Sequence, residues 1–256
     1  MGSNPTPRTF HATPRTPNGL AEILSFGLWM RREGYRESTI RPCVKALKAI
    51  ARRVNLLDPE DVKAYLARAG VSEARKEKLT GDLARFYRYM RIPFEKPRYR
   101  AVEHLPFIPL ESEIDQLISA VGSKTATFLQ LIKETACRPG EAWNLRWIDV
   151  DPERSSVTIV PEKHSRARQR KVSAKLMAML SSLPKLGDYI FRNSRTDQIN
   201  SLEDFRRHFE DRRRRTAQKL QNPRINRIGF RTLRHWKATT EYQRTKDILH
   251  VMQLLG

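Results

Sequence analysis

Residues 93–109, PFEKPRYRAVEHLPFIP, hold four prolines in a basic run with no helical or strand period. Proline lacks the N–H that a helix interior or central strand needs, and it pushes the preceding residue toward extended backbone. The stretch therefore reads as an extended linker, and it divides the chain into two pieces that must each bury their own core. A chain of 256 residues is long enough for one or two domains.

The first piece reads as helical throughout. Leu20, Ile23, Leu24, Leu28 and Trp29 make an apolar stripe that ends near Gly34. Ser38 is the expected N-cap of a second helix carrying Ile40, Val44, Leu47, Ile50 and Val54, with Pro42 in its first turn. Asp58-Pro59-Glu60-Asp61 opens a third, with Val62, Tyr65 and Leu66, that closes at Gly70. Ser72 to Met90 forms a fourth, with Leu79, Leu83, Phe86, Tyr87 and Met90 on its apolar face. Four short helices predict a compact all-α unit over residues 19–92. Residues 1–18, rich in proline and threonine and without period, are expected to be a disordered basic arm.

The second piece, from residue 110, mixes helices with a small β element. Leu110-Glu111-Ser112 starts a helix through Ile114, Leu117 and Ile118, and the apolar run from Lys124 to Ala136 predicts a central core helix. Cys137-Arg138-Pro139 follows. Pro139 suits the first position of a new helix and biases Arg138 away from helical geometry, which sets the Arg138 side chain at the mouth of a helix junction. That helix is expected to run through Trp143, Leu145 and Trp147 to Asp149. Ser156–Val160 alternates like a strand, Lys163–Arg168 is a polar loop, and a return strand near Gln169–Val172 completes a β-hairpin with a lysine near its tip. Ser201 to Leu220 reads as a long helix with Phe205 and Phe209 inward and Arg212, Arg213, Arg214 and Arg215 crowding the remainder. The last stretch, Ile228 to Gly256, predicts a helix, a break at Gln243–Asp247 and a second helix; Arg231 and Arg234 share one helical face with His235 beside them. Two guanidiniums side by side form a fixed, always-charged fork suited to a phosphate.

Charge decides the class of partner. Lys and Arg number 49 against 28 Asp and Glu, a formal charge of +21, which points to a polyanion, with nucleic acid first. No long apolar segment or signal peptide favours a membrane. Two cysteines and six scattered histidines supply neither a disulfide framework nor metal-ligand spacing, so neither metal nor small-molecule cofactor is expected. The basic residues recur through the first piece, among them Lys45, Arg52 and Arg85. Those three and the Arg212–Arg215 run are the candidate contacts to a phosphate backbone.

An arginine at a helix junction, a lysine on a hairpin and an Arg-x-x-Arg helix stand in that order. The boxes TACRPGEAWNLRWIDVD, PEK, FRTLRHWKATTEY and ILHVMQLLG resemble those of the tyrosine recombinases, the phage-type integrases, and look closest to archaeal integrases. The resemblance spans the chain from about Gly19. It implies a mainly α (α+β) protein: an N-terminal helical, SAM-like core-binding domain that clamps DNA, a linker over residues 93–109, and a mostly helical catalytic domain from residue 110 with a small β-hairpin sheet. By position it makes Arg138 the first catalytic arginine, Arg234 the second, and Lys163 (or Lys171) the hairpin lysine that acts as general acid. Arg231 stands where most members carry histidine; it keeps the phosphate contact but cannot transfer a proton. Glu141 resembles the acidic residue that supports the first arginine, and a surface or helix-cap role suits it equally.

The same resemblance implies recombination through a 3′-phosphotyrosyl intermediate, stabilised by guanidiniums and needing no ATP. It also implies double-stranded DNA as the partner and self-association as a tetramer on it; with the cytosolic reading of the composition, that gives a cytoplasmic, nucleoid-associated expectation. The family's LLG precedes a histidine and then the nucleophilic tyrosine, whereas residues 1–256 stop at Gly256 and Tyr242 lies too early to serve. The expectation is a phosphate pocket without its nucleophile. A non-catalytic DNA-binding product of a broken integrase gene is the rival, and a type IB topoisomerase, which shares the chemistry, is a third reading set aside on the short chain and the archaeal-integrase-like boxes.

Overall fold

The computed structural model describes residues 19–102, 105–162, 166–192 and 201–256. The arm expected over residues 1–18 lies outside them, as do Lys163 and the tip of the hairpin at residues 163–165. The chain forms two compact units that divide at residues 104–105.

The first unit is built from α1 (Leu20–Arg32), α2 (Glu37–Ala51), α3 (Pro59–Arg68) and α4 (Glu73–Met90). Two of the starts follow the capping signals. The Asp58 carboxylate accepts from the N–H groups of Glu60 (2.9 Å) and Asp61 (3.3 Å), and the Ser72 hydroxyl accepts from Arg75 N–H at 3.3 Å. α2 differs from the expectation: it begins at Glu37, not after Ser38. The Glu37 carboxylate ties Arg31 (3.1 Å) to Arg41 (3.2 Å), and those hydrogen bonds hold it below the usual carboxylate range. Pro42 consequently sits inside the helix, past its first turn, and the Ser38 carbonyl loses its i+4 donor.

The buried face of α1 also differs. Ile23, Phe26 and Met30 are fully buried, while Leu24 and Leu28 are 54% and 56% exposed. Aromatic area explains the choice. Phe26 packs edge-on against Phe86 (5.5 Å between centroids) and beside Tyr89, a larger contact than the leucine stripe offers. Tyr87, fully buried, donates its hydroxyl to the Leu56 carbonyl at 2.9 Å, and burial pushes its phenol above the ordinary value.

The second unit is mostly helical with a three-stranded antiparallel sheet. It contains α5 (Glu111–Ala120), α6 (Ser123–Thr135), α7 (Pro139–Trp143), β1 (Val150–Asp151), β2 (Ser156–Ile159) and β3 (Arg168–Lys171). After them come α8 (Ala174–Ser181), α9 (Leu202–Lys219), α10 (Phe230–Thr245) and α11 (Ile248–Leu255). α6 runs through the middle, as its apolar sequence predicts. The fully buried Phe128 ring meets Phe191, Phe205 and Phe230 at 5.0, 4.9 and 4.9 Å, which fixes α9 and α10 against α6.

Two local expectations are corrected here. The helix opened by Pro139 stops at Trp143 and does not continue to Asp149. Backbone pairing takes over: Ile190 N–H donates to the Leu145 carbonyl at 3.0 Å, and Arg146 bridges to Tyr189, so the apolar Tyr189–Phe191 run claims the chain before a 3-10 turn at Trp147–Asp149. The hairpin also gains a third strand, β1, two residues long and too short to show an alternation. In β2 and β3, Val157 pairs with Arg170 and Ile159 with Arg168.

No helix among the described residues is long and apolar enough to cross a membrane.

Candidate functional site

The last residues of α6 and the first of α7 build one wall. Ala136 leaves α6 in a left-handed conformation (φ 52), turning its carbonyl out of the helix. Cys137 is buried, and burial pushes its thiol up to about 11, so it stays protonated as a filler. Arg138 is extended (φ −69, ψ 148) because Pro139 follows, and its side chain leaves the junction sideways.

Glu141 has no side-chain exposure, which corrects the surface role open to it, and it both caps α7 and supports Arg138. Its Oε2 accepts the Arg138 backbone N–H at 2.8 Å, capping α7, and its Oε1 accepts Arg138 Nη1 at 3.1 Å. Arg168 of β3 adds a bidentate contact to the same carboxylate, with Nη2 2.7 Å from Oε2 and Nη1 3.4 Å from Oε1.

α10 supplies the facing wall. Arg234 donates from Nη1 to the Ala136 carbonyl (2.6 Å) and from Nη2 to the Leu255 carbonyl at the end of α11 (3.0 Å). Burial first, then the neighbouring Arg138 and Arg168 charges, lower its guanidinium to about 10, so it remains cationic at neutral pH. Arg138 reaches the Gly256 carbonyl at 3.5 Å from both terminal nitrogens. Arg170 of β3 donates to the Gln253 carbonyl. Four arginines from three separate segments thus gather around the last turn of α11.

In front of them lies a cavity of about 400 Å³ whose lining includes Arg138, Arg206, Arg231, Arg234, His235 and Glu162. Arg138, Arg231 and Arg234, the three arginines singled out in the sequence, therefore meet at one place although Arg138 and Arg234 are far apart in the chain. Lys163 lies outside the described residues; its neighbour Glu162 is on the cavity wall, whereas Lys171 is exposed at the end of β3 and does not line the cavity. None of the seven tyrosines lines it either, and Tyr242 is 45% exposed.

Three site arginines, Arg206, Arg168 and Arg170, were not singled out in the sequence. Arg206 lies in the long helix where only the Arg212–Arg215 run was marked. Arg168 sits in RQRK, a strand with no apolar residue to mark an inner face; only the i, i+2 spacing of Arg168 and Arg170 hinted that both turn inward.

The expected backbone contacts divide into two kinds. Lys45 and Arg52 join Arg41 and Lys48 along one face of α2, over a shallow groove floored by Val44 and Ala49. Arg85 instead pairs with the buried Asp82 at 3.1 Å. In the α9 run Arg212, Arg214 and Arg215 are exposed, while Arg213 turns in, covers Phe209 and donates to the Ile228 carbonyl at 2.9 Å. Burial lowers the Arg213 guanidinium, which is engaged in holding the entry to α10.

The fold has known counterparts. The chain is similar to the Tn1549 transposon integrase in complex with a circular intermediate DNA, with a TM-score of 0.72 and 11% identity over 91% of this chain and 90% of that one. It is similar to a lambda integrase tetramer bound to a Holliday junction, with a TM-score of 0.67 and 14% identity over 92% and 76% of the two chains. A third is XerH site-specific recombinase bound to difH substrate, with a TM-score of 0.62 and 17% identity over 93% and 89%. At these identities the likeness is one of fold. Comparison with curated protein sequences gives no match. Residues 110–256, more than half of the chain and all of the segment that builds the arginine cavity, match the Phage integrase family, and the chain belongs to that family.

Proposed function

We propose that this chain acts in site-specific DNA recombination of the tyrosine type, gripping a DNA phosphodiester in the cavity between α7 and α10. The observation that carries the reading is the convergence of Arg138, Arg231 and Arg234 on one open cavity. In such a reaction a tyrosine oxygen attacks phosphorus, the bond to the 5′-oxygen breaks, and that oxygen leaves with a proton. Negative charge grows on the nonbridging oxygens, and guanidiniums already fixed in place stabilise it without reorganising. Arg234 is held by two carbonyls and Arg138 by Glu141, so neither has to be ordered during the step. Lys163, which follows Glu162 in the sequence, is the proposed donor of the proton to the leaving oxygen.

The first unit is the proposed DNA clamp, with Lys45 and Arg52 following the backbone, and Arg212, Arg214 and Arg215 adding contacts from the second. The charge of +21 and the DNA-bound state of relatives of this fold support duplex DNA as the partner. The lambda integrase tetramer supports self-association there. Since no tyrosine lines the cavity, residues 1–256 are proposed to hold the phosphate pocket while the nucleophile comes from elsewhere. The same observation favours, as the second reading, a protein that occupies DNA without cutting it.

Two measurements test this. Duplex binding should weaken steeply between low and moderate salt, by orders of magnitude if several phosphates are neutralised; affinity indifferent to salt would refute DNA as the partner. Incubation with a nicked duplex carrying the cognate site should leave no covalent adduct on a denaturing gel. A covalent band lost on Tyr242→Phe would move the nucleophile into these residues.

A further inference from the structure

Arg168 has no part in the phosphate contacts described above, yet it is one of the most deeply held charges in the molecule. Its side chain is 6% exposed, in a strand of four polar residues where burial costs desolvation with no apolar return. Its Nε is buried without a hydrogen-bond partner. Its side chain donates to the Arg166 carbonyl at 3.3 Å, and its ionic partner is the Glu141 carboxylate, which it shares with Arg138.

The sharing has an electrostatic consequence. One carboxylate with one guanidinium makes a neutral pair, and an anion approaching Arg138 would meet little net field. One carboxylate between two guanidiniums leaves the trio with a net positive charge. We propose that Arg168 is a positioning residue of the anion site: it takes up the charge of Glu141, leaves that of Arg138 to the cavity, and pins β3 to the carboxylate that aims Arg138. Through β3 it also ties the hairpin, whose other arm leads to Glu162 on the cavity wall, to the arginine that meets the anion. The inference rests on the reading of the cavity as a phosphate site.

The test uses orthovanadate as the probe, its binding followed by 51V NMR line broadening with inorganic phosphate as competitor. Each variant is measured well below its own melting midpoint. Arg138→Met serves as the reference for losing the site. Arg168→Met should weaken vanadate binding roughly tenfold or more, the effect of one unit charge a few ångströms away in a partly buried setting. Adding Glu141→Gln to Arg168→Met removes the carboxylate that then neutralises Arg138 and should bring affinity back to within about threefold of the starting chain. A residue that merely held the fold together would not be rescued by removing its partner.

Vanadate binding unchanged in Arg168→Met, or lost there and not recovered in the double variant, overturns the proposal. If Arg168→Met alone does not fold, the double variant carries the comparison, and a tenfold loss in it is the refuting result. If Arg138→Met leaves vanadate binding unchanged, the phosphate-site reading fails and takes this inference with it. If Arg138→Met weakens binding while Arg168→Met does not, only the inference falls.

Discussion

Truncating Phe128 to alanine tests the packing that holds the two arginine-bearing walls together. The ring is fully buried at the middle of α6 and meets Phe191, Phe205 and Phe230 at 4.9–5.0 Å, with interplanar angles of 88°, 70° and 62°. A buried Phe→Ala change costs about 3–5 kcal/mol through lost transfer energy and the cavity left behind. The three ring partners push the value toward the upper end, because each such pair adds about 0.5–1.5 kcal/mol beyond its area. At about 2–4 °C per kcal/mol for a unit of this size, the melting midpoint should fall by roughly 10 °C or more. Tryptophan fluorescence during urea and thermal unfolding is the assay. Trp143, Trp147 and Trp236 report on the second unit, while Trp29 alone reports on the first. The first unit should keep its own transition. A loss below about 1 kcal/mol, the size of an ordinary surface change, would refute the central place given to this ring.

Three further outcomes follow from single contacts. Glu113 accepts from Arg224 at 2.7 Å, and that bond, ahead of those from Leu110 and Asn222, holds its carboxyl below the usual range. A carboxyl with a depressed folded value stabilises above its unfolded value and loses that contribution as pH falls through the folded one, so acid unfolding below about pH 4.3 should be shallower in Glu113→Gln. Arg213→Ala should cost about 1–3 kcal/mol in a urea melt by leaving the Ile228 carbonyl unpartnered, whereas Arg214→Ala, on the exposed side, should stay within about 0.5 kcal/mol; equal effects would contradict the inward turn of Arg213. Lys45→Ala with Arg52→Ala should lower the slope of log affinity against log salt for duplex DNA by about 2, one phosphate contact each; an unchanged slope would remove α2 from the DNA surface.

Much of the second unit was legible because its signals are local. Pro139 after Arg138 states a helix start and an extended arginine in two residues, and Ser173, Ser201 and Asp247 cap the helices they precede. The Arg231–Arg234 face needs nothing beyond the helical period. What escaped depended on partners distant in the chain. Leu24 and Leu28 fit a stripe as well as Phe26 does, and only the rings of α4 decide between them. The stop at Trp143 was set by Tyr189–Ile190, which no nearby residue announces. Arg168 and Arg213 look like surface charges in their own segments, and contacts to Glu141, and to Phe209 and the Ile228 carbonyl, turn them inward.

The carbonyls at the ends of α6 and α11 give the arginine cluster a property that carboxylates could not. Ala136, Leu255 and Gly256 present C-terminal oxygens to Arg234 and Arg138, so the negative ends of two helix dipoles face the guanidiniums. A helix end carries about half an elementary charge, and its influence fades within a turn. It eases the repulsion between neighbouring cations at contact range while contributing no net charge at longer distance. An approaching polyanion would therefore feel from afar a cationic field reduced only by the Glu141 carboxylate, although the guanidiniums that generate it are also solvated by peptide groups. Replacing those dipoles with aspartates would calm the cluster equally well and extinguish its reach.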